Sequence, residues 1–280
     1  MTTRPDPEMI KRSIAGVFDR GADAYDQVGV DFFGPAGRDL VEHAALRTGE
    51  RVLDLGCGRG AVLFPAAQAV GPTGRVVGID LAPRMAELTQ ADAKARGLEH
   101  VTALAGDAER PDFGAESFDA ILAGLVIFFL PDAAGALRRY AELLAPGGRL
   151  GFTTFGAQDE SFDAAMKAIG SYVPGDMPPR GERQGPFGSR EGIAELLTAN
   201  GYATPQFDEV TYESRFTDPD HWISWVWSHG GRHTVESVPE DRRAEAIEAG
   251  KQAFEAARTP AGDYAIHTAI RFTVAQTEHN

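Results

Sequence analysis

The sequence predicts an α/β fold in which a doubly wound, mostly parallel sheet carries helices on both faces. Short apolar runs with the character of buried strands recur between residues 47 and 155. Turns containing glycine or an acid follow most of them, and helical patterns separate them. Strands that alternate with helices form a parallel sheet, and its ligand binds beyond the carboxyl ends of the strands. We therefore expect the functional residues at those ends.

The first strand covers residues 52–55 and leads into a turn at 56–60 that holds three glycines. Its apolar residues suit a strand buried on both faces. Glycine lets backbone N–H groups approach a ligand closely because it has no Cβ. Asp54, late in the strand, is placed to accept hydrogen bonds in the turn or from a cationic ligand group. A helix follows near residues 60–70, so this corner is the first candidate ligand site.

Acidic residues follow the next two predicted strands. Asp80 ends a strand and lies twenty residues after Gly60, a spacing typical of an acid that binds ribose hydroxyls. Asp107 follows the third strand, where an acid can meet the amino edge of an adenine. The strands after the first are expected at residues 75–80, 101–105, 118–123 and 144–150, with helices near 82–97 and 132–144.

Together these elements resemble the S-adenosylmethionine-dependent methyltransferases of the Rossmann-like class. The resemblance covers roughly residues 45–155. It rests on Asp54-Leu55-Gly56-Cys57-Gly58-Arg59-Gly60, Asp80, Gly106-Asp107-Ala108, Phe118-Asp119 and Leu144-Ala145-Pro146-Gly147-Gly148. Within the class, the chain is most similar to the small-molecule branch that includes the ubiquinone/menaquinone and natural-product methyltransferases.

The resemblance implies S-adenosyl-L-methionine as cofactor and a seven-stranded sheet in the order 3-2-1-4-5-7-6, with an antiparallel pair closing it. It implies four segments: an N-terminal helical cover at 1–46, the cofactor-binding core at 47–155, a lid insertion at 156–188, and the rest of the sheet with added helices at 189–280. The cofactor-binding residues it implies are Tyr25, Asp54, Gly56, Cys57, Gly58, Gly60, Asp80, Leu81, Met85, Gly106, Asp107, Ala108 and Ala123. For Tyr25, an ordinary packed tyrosine is an equal alternative.

A nicotinamide-dependent dehydrogenase is the competing interpretation of the glycine turn. A dinucleotide site prefers Gly-x-Gly-x-x-Gly, whereas the turn at 56–60 has Gly-x-Gly-x-Gly. A dinucleotide site also does not require the motifs at 106–108 and 145–148. The sequence therefore favours methyltransferase-type cofactor binding.

Composition and charge narrow the range of partners. The net charge is −14, from 41 acidic and 27 basic residues, which argues against binding to nucleic acid or an anionic membrane. The chain has no apolar run near eighteen residues and no signal-like start, and its one cysteine, Cys57, permits no internal disulfide. These features predict a cytoplasmic protein.

No spacing of residues typical of metal ligands is recognisable in the sequence. The oligomeric state stays open, and a homo-oligomer is one of the alternatives.

Residues outside the cofactor core supply the candidates for a methyl-acceptor site. A helix starting at Pro219 is expected to place Trp222, Trp225 and His229 on one face. Such a face is either packed core or the aromatic wall of a pocket, and His229 is a weak candidate for a general base. The substrate-binding candidates are Phe32, Phe128, Tyr172, Trp222, Trp225 and His229.

The function predicted on this basis is in-line methyl transfer to O, N or C of a partly hydrophobic small molecule, a natural-product or quinone-like metabolite. A base is needed only if the nucleophile must lose a proton. Two alternatives remain. One is an enzyme of the same fold that catalyses a rearrangement or cyclisation with the cofactor in a structural role, and the other is a non-catalytic cofactor-binding partner protein.

Overall fold

A computed structural model describes residues 6–175 and 185–278, and it shows one sheet with helices on both faces. The sheet has seven strands in the order β3-β2-β1-β4-β5-β7-β6, as predicted. Strand β7 runs antiparallel to both of its neighbours, and the other pairs are parallel. The strands are β1 (Arg51–Leu55), β2 (Arg75–Asp80), β3 (Val101–Ala105), β4 (Phe118–Ala123), β5 (Leu144–Phe155), β6 (Gln206–Phe216) and β7 (Tyr264–Gln276).

Ten α-helices lie in the described part of the chain. Several begin where the sequence provides a cap: Asp132 accepts a hydrogen bond from the N–H of Gly135, and Asp218 accepts one from the N–H of His221. The helices are α1 (Pro7–Gly21), α2 (Phe33–His43), α3 (Leu63–Val70), α4 (Pro83–Ala95), α5 (Ala133–Leu143), α6 (Glu160–Gly170), α7 (Arg190–Thr198), α8 (Pro219–Ser228), α9 (Arg232–Glu236) and α10 (Arg243–Phe254).

The sheet separates two apolar cores. On one face, Leu122 of β4 belongs to a core that includes Leu40 of α2 and Trp225 of α8. On the other face, Ile121 of β4 belongs to a core with Leu137 of α5. Because adjacent strand residues point to opposite faces, central strands of this kind are mostly apolar, and β1 and β4 are apolar apart from Arg51, Asp54 and Asp119. The strand order reverses between β1 and β4, which opens a crevice at their carboxyl ends.

Two details differ from the sequence-based expectation. Helix α8 ends at Ser228, so His229 lies just beyond the helix and not on its face. The segment at 156–188, which is expected to form a lid, begins with α6, whose Phe162 and Ile169 are buried in the main core. Residues 176–184 of that segment lie outside the described residues. The short helix α9 was not predicted, since its five residues are too few for a visible helical period.

None of the helices within residues 6–175 and 185–278 combines the length and the apolar character needed to cross a bilayer.

Candidate functional site

The carboxyl ends of β1, β4 and β5 enclose a small cavity of about 40 Å³. The glycine turn at 56–60 forms one side of it, and Tyr25 and Phe33 from the N-terminal segment lie across it. Leu125 and Thr153 complete the lining at the ends of β4 and β5. A larger open groove of about 440 Å³ lies between α5 and the loop after β3, and none of the predicted site residues lines that groove.

The glycines of the turn have separate reasons to be glycine. Gly56 and Gly60 have positive φ angles of +63° and +85°, and a Cβ on Gly56 would come within 2.4 Å of the Val126 side chain. Gly58 also has a positive φ, of +48°, but a Cβ there would meet only Tyr25, at 3.9 Å. Gly56 therefore allows close packing, whereas Gly58 leaves open space towards the cavity.

Asp54 is a buried acid in the wall of this cavity, with 1% of its surface exposed. Its Oδ2 atom has no hydrogen-bond partner among the described residues. Burial, followed by the charge of Asp80, raises the pKa of Asp54 well above its ordinary value, against an opposing hydrogen bond from the Leu63 backbone. A buried carboxylate in this state is stabilised by a cation. The ammonium group of S-adenosylmethionine would provide that charge, so the unpaired Oδ2 atom of Asp54 fits the cofactor that the sequence implies.

Asp80 joins the glycine turn to the end of β2. Its Oδ2 accepts a hydrogen bond of 2.8 Å from the N–H of Gly58, and its Oδ1 accepts one of 2.9 Å from the N–H of Ala82. Burial raises the pKa of Asp80, and the two N–H donors oppose that rise. Each carboxylate oxygen has a further lone pair, so both ribose hydroxyls remain acceptable partners.

Asp107, after β3, is held by a residue that the sequence interpretation missed. Lys11 of α1 donates a hydrogen bond of 2.8 Å to its Oδ2, and the N–H of Glu109 donates one of 2.8 Å to its Oδ1. Lys11 also lies 2.9 Å from Oε1 of Glu109. The N-terminal helix is thereby fixed to the acid that is expected to meet the adenine.

The remaining cofactor candidates are mostly packed. Cys57 is buried, and a Cβ on Gly78 of β2 would come within 2.9 Å of its Sγ. Burial raises the pKa of the Cys57 thiol, which disfavours a reactive thiolate. Met85 is completely buried in a small cluster with Ala22 and Ala82. The other candidates are Leu81 directly after β2, Gly106 directly after β3, Ala108 beside Asp107, and Ala123 at the buried end of β4.

Arg59 ties the N-terminal segment to the turn. Its guanidinium donates a hydrogen bond of 3.1 Å to the carbonyl oxygen of Ala22 and pairs with Asp92 of α4 at 2.8 Å. Tyr25 follows Ala22 by three residues and stacks on Phe33 with ring centroids 4.8 Å apart. Desolvation raises the pKa of the Tyr25 phenol, so it stays neutral. The sequence showed Arg59 only as one position of the motif, because its partners are distant in the chain.

An aromatic cluster extends from Phe33 into the core that contains Phe32 and Trp225, both of which are buried. The His229 ring lies 5.9 Å from Phe33 and 4.3 Å from Trp225, and Trp225 lies 6.1 Å from Phe32. The structure thus brings three substrate candidates, Phe32, Trp225 and His229, into one cluster. Phe33 connects this cluster to Tyr25 and was not among the candidates, since neighbouring phenylalanines cannot be ranked by sequence alone.

His229 has a defined hydrogen-bond role in this cluster. Its Nδ1 atom accepts a hydrogen bond of 3.1 Å from the N–H of Gly231. A neutral imidazole that accepts at Nδ1 carries its proton on Nε2. In this arrangement Nε2 is a donor and not a proton acceptor, which is unfavourable for a general base acting through that atom.

None of the six substrate candidates is among the residues that line the cavity, and Trp222 and Tyr172 also lie outside the cluster around Phe33. Trp222 has no exposed surface and stacks on Phe254 at 4.4 Å, within the main core. Tyr172 donates a hydrogen bond of 3.2 Å to Glu245, and Arg242 lies 4.5 Å above its ring, so it packs on the α10 side of the molecule.

Phe128 lies in the loop after β4 and packs against the core that contains Leu137 of α5. Its ring is 4.7 Å from Phe129 and 5.6 Å from Phe155 at the end of β5. Phe129 in turn contacts Phe18 of α1 at 5.9 Å. The loop after β4 therefore presents an apolar surface next to Leu125 and the cavity.

Known proteins that are similar to this chain are methyltransferases. A family model described as a methyltransferase domain matches residues 52–148. Nocamycin O-methyltransferase of Saccharothrix syringae is 39% identical over 242 residues, which are 81% of this chain and 86% of that protein. Aklanonic acid methyltransferase DauC of Streptomyces sp. strain C5 is 51% identical over 144 residues, which are 51% of this chain and 66% of that protein.

A solved structure shows the same architecture. The YcgJ protein of Bacillus subtilis aligns with a TM-score of 0.57 and 21% identity, covering 88% of this chain and 99% of that one. At this level of identity the likeness shows the fold, and it agrees with the strand order described above.

Proposed function

The chain belongs to the S-adenosylmethionine-dependent methyltransferases, and on that premise we propose that it methylates an acidic oxygen atom of a partly hydrophobic small molecule. Its cofactor is S-adenosyl-L-methionine. What we propose is therefore the kind of acceptor and the atom that receives the methyl group.

The proposal that oxygen receives the methyl group rests on the relative that aligns with most of the chain. Nocamycin O-methyltransferase, 39% identical over 81% of this chain, is named for transfer to oxygen. The name of the second relative, aklanonic acid methyltransferase, specifies an acid as its acceptor. The first name supports an oxygen acceptor over nitrogen or carbon, and the second supports an acidic compound as the acceptor.

The chemistry of the site agrees with an acidic acceptor. An oxygen that is already ionised at neutral pH needs no general base. The hydrogen bond from Gly231 to Nδ1 of His229 is unfavourable for a base at Nε2. Leu125 and Thr153, which line the cavity, offer no ionisable group beside the end of β4. We therefore assign no proton transfer to the protein in this reaction.

The residues of the chain then act by holding and orienting the reactants. Asp54 would hold the ammonium group of the cofactor, and Asp80 would hold its ribose hydroxyls. When bound, S-adenosylmethionine supplies an activated methyl group on a positively charged sulfur, and transfer to an ionised oxygen neutralises both charges. Tyr25 and Phe33 exclude water from the reacting end, and alignment of the reactants in line supplies several kcal/mol by proximity.

The proposal is tested by following a labelled methyl group. The purified protein is incubated with S-adenosylmethionine carrying a trideuterated methyl group and with aromatic carboxylic acids, phenols and amines as separate probe sets. Tandem mass spectrometry locates the label, and S-adenosylhomocysteine is measured in parallel. We expect the label on oxygen, with the acids as preferred probes. Label on nitrogen or carbon contradicts the proposal. Cofactor binding without S-adenosylhomocysteine in any set favours a rearrangement or a non-catalytic role instead.

A further inference from the structure

Leu125 has a strained backbone conformation at the edge of the cofactor cavity. Its φ angle is +55°, in the left-handed region that residues with a Cβ rarely adopt. The residue follows the end of β4 by two positions and lines the cavity. A backbone of this kind persists only where surrounding contacts hold it, and such residues are often found at ligand sites. The contact that holds Leu125 is therefore of functional interest.

The hydroxyl of Thr153 provides that contact. Thr153 lies on β5, directly after Phe152, which pairs with Ala123 at the end of β4. Its Oγ1 atom accepts a hydrogen bond of 2.9 Å from the N–H of Leu125. Thr153 is 1% exposed and lines the same cavity as Leu125. Because an N–H shielded from water is costly without an acceptor, this hydrogen bond favours the backbone conformation that forms it.

The backbone of Leu125 also determines how the loop after β4 meets the glycine turn. Val126 follows Leu125, and a Cβ on Gly56 would come within 2.4 Å of its Cγ2 atom. Gly124 precedes Leu125, and a Cβ there would come within 2.9 Å of Cγ2 of Val62, another residue of the cavity wall. Both neighbours of Leu125 are thus closely packed. A different backbone conformation at Leu125 would displace at least one of them and change the shape of the cavity.

We propose that Thr153 is a positioning residue for methyl transfer, whose hydroxyl holds Leu125 in the left-handed conformation that cofactor binding requires. Without this hydrogen bond, a smaller fraction of the protein has the competent conformation. The apparent affinity for the cofactor then falls in proportion to that fraction. The inference goes beyond the proposed function, since it depends neither on the acceptor nor on the atom that is methylated.

Thr153→Val tests the proposal, because it removes the hydroxyl and nearly keeps the shape of the side chain. We expect it to weaken binding of S-adenosylhomocysteine by about five- to thirtyfold, the ratio that corresponds to the cost of a left-handed residue. Thr153→Ser keeps the hydroxyl and should bind within about twofold of wild type. Isothermal titration calorimetry measures the affinity. Thr154→Val is the matched control, because Thr154 is also buried but points to the other face of the sheet, and it should bind as wild type does.

Leu125→Gly separates backbone positioning from any other effect of the hydroxyl. Glycine adopts positive φ about as readily as negative φ, so the hydrogen bond is no longer needed to hold the conformation. In the Leu125→Gly background, Thr153→Val should therefore change the affinity by less than about threefold. Glu116→Gly is the control background, since Glu116 also has a positive φ, of +54°, but lies before β4 at the opposite end of the strand. There, Thr153→Val should cause its full loss of affinity.

The melting temperature of every ligand-free variant is measured in parallel. A Thr153→Val protein that melts at a lower temperature but binds S-adenosylhomocysteine as wild type does would show that the hydroxyl only stabilises the fold, which overturns the proposal. An equal loss of affinity with and without Leu125→Gly also overturns it.

If Thr153→Val does not fold, Leu125→Ile tests the same conformation with the hydroxyl in place. A β-branched residue is strongly disfavoured at positive φ, so Leu125→Ile should weaken binding of S-adenosylhomocysteine. Wild-type affinity in Leu125→Ile contradicts a requirement for the left-handed conformation.

Discussion

Lys11 on α1 donates a hydrogen bond of 2.8 Å to Asp107, the acid that follows β3 and is expected to meet the adenine of the cofactor. Its ammonium also lies 2.9 Å from Glu109, whose other oxygen accepts a hydrogen bond of 3.0 Å from the N–H of Asp132. Lys11 and Glu109 are 6% and 4% exposed. Burial by itself would lower the pKa of Lys11, but the two carboxylates raise it above its ordinary value. Lys11 thus fixes α1 to the loop after β3, in addition to the contact of Arg59 with Ala22.

Lys11→Met should lower the free energy of unfolding by about 1–3 kcal/mol, because it leaves a buried carboxylate without its partner. Urea unfolding of the ligand-free protein measures this change. Backbone amides of α1 should also exchange with deuterium faster, since the helix loses its contact to the loop after β3. Arg12→Met is the control, because Arg12 is the exposed neighbour on the same helix. Equal stability of the two variants would show that the Lys11 contacts contribute no more than a surface pair.

The stability of the protein should depend on pH through the carboxyl of Asp26, which lies in the linker between α1 and α2. Burial and the nearby Asp31 raise its pKa from 3.8 to about 6, against the opposing charge of Arg59. A carboxyl whose folded pKa lies above its unfolded value contributes stability below pH 3.8, and that contribution is lost as the pH rises through about 6. At pH 7.5 the ionised Asp26 is therefore unfavourable.

Asp26→Asn should raise the melting temperature at pH 7.5 and have little effect at pH 4. Asparagine also suits the backbone there, since Asp26 has a φ of +57° and Asn adopts that region readily. Differential scanning fluorimetry between pH 4 and pH 8 follows the change. Asp241→Asn, at an exposed position, removes the same charge as a control. A gain that is equal at all pH values would assign the effect to backbone conformation and not to ionisation.

The cofactor core was predictable from sequence because its signals are local. The strand before Gly56, the turn, and Asp80 at the end of the next strand are each readable within a few residues, and the sheet order followed from the resemblance they carry. Lys11 was not predictable, because its partner Asp107 is 96 residues away and any exposed helix can carry a lysine. His229 was placed on the α8 face because the helical period continued, whereas the chain leaves the helix at Ser228.

Asp80→Ala should weaken binding of S-adenosylhomocysteine by about 1.5–3 kcal/mol, the range for hydrogen bonds to a charged group. The affinity should fall for a second reason, because the N–H groups of Gly58 and Ala82 lose their hydrogen-bond acceptor. The glycine turn then loses its side-chain contact with the end of β2. Isothermal titration calorimetry measures the affinity. Asp119→Ala removes an acid at the opposite end of the sheet, where Asp119 pairs with Arg51, and should leave the affinity unchanged. Wild-type affinity in Asp80→Ala would show that another group holds the ribose.

The final prediction separates packing from proton transfer at His229. Because Nδ1 accepts from Gly231, the neutral ring carries its proton on Nε2, and the ring packs against Trp225 and Phe33. His229→Ala should therefore lower the melting temperature and raise the KM for the acceptor, while kcat falls less than about tenfold. Loss of a general base would instead lower kcat by about 10²–10⁴ with KM retained and would change its pH profile. Steady-state kinetics from pH 6 to pH 9, with the acceptor found by the labelling experiment, distinguish the two. Trp222→Phe, a conservative change in the core away from the cavity, is the control for stability loss alone.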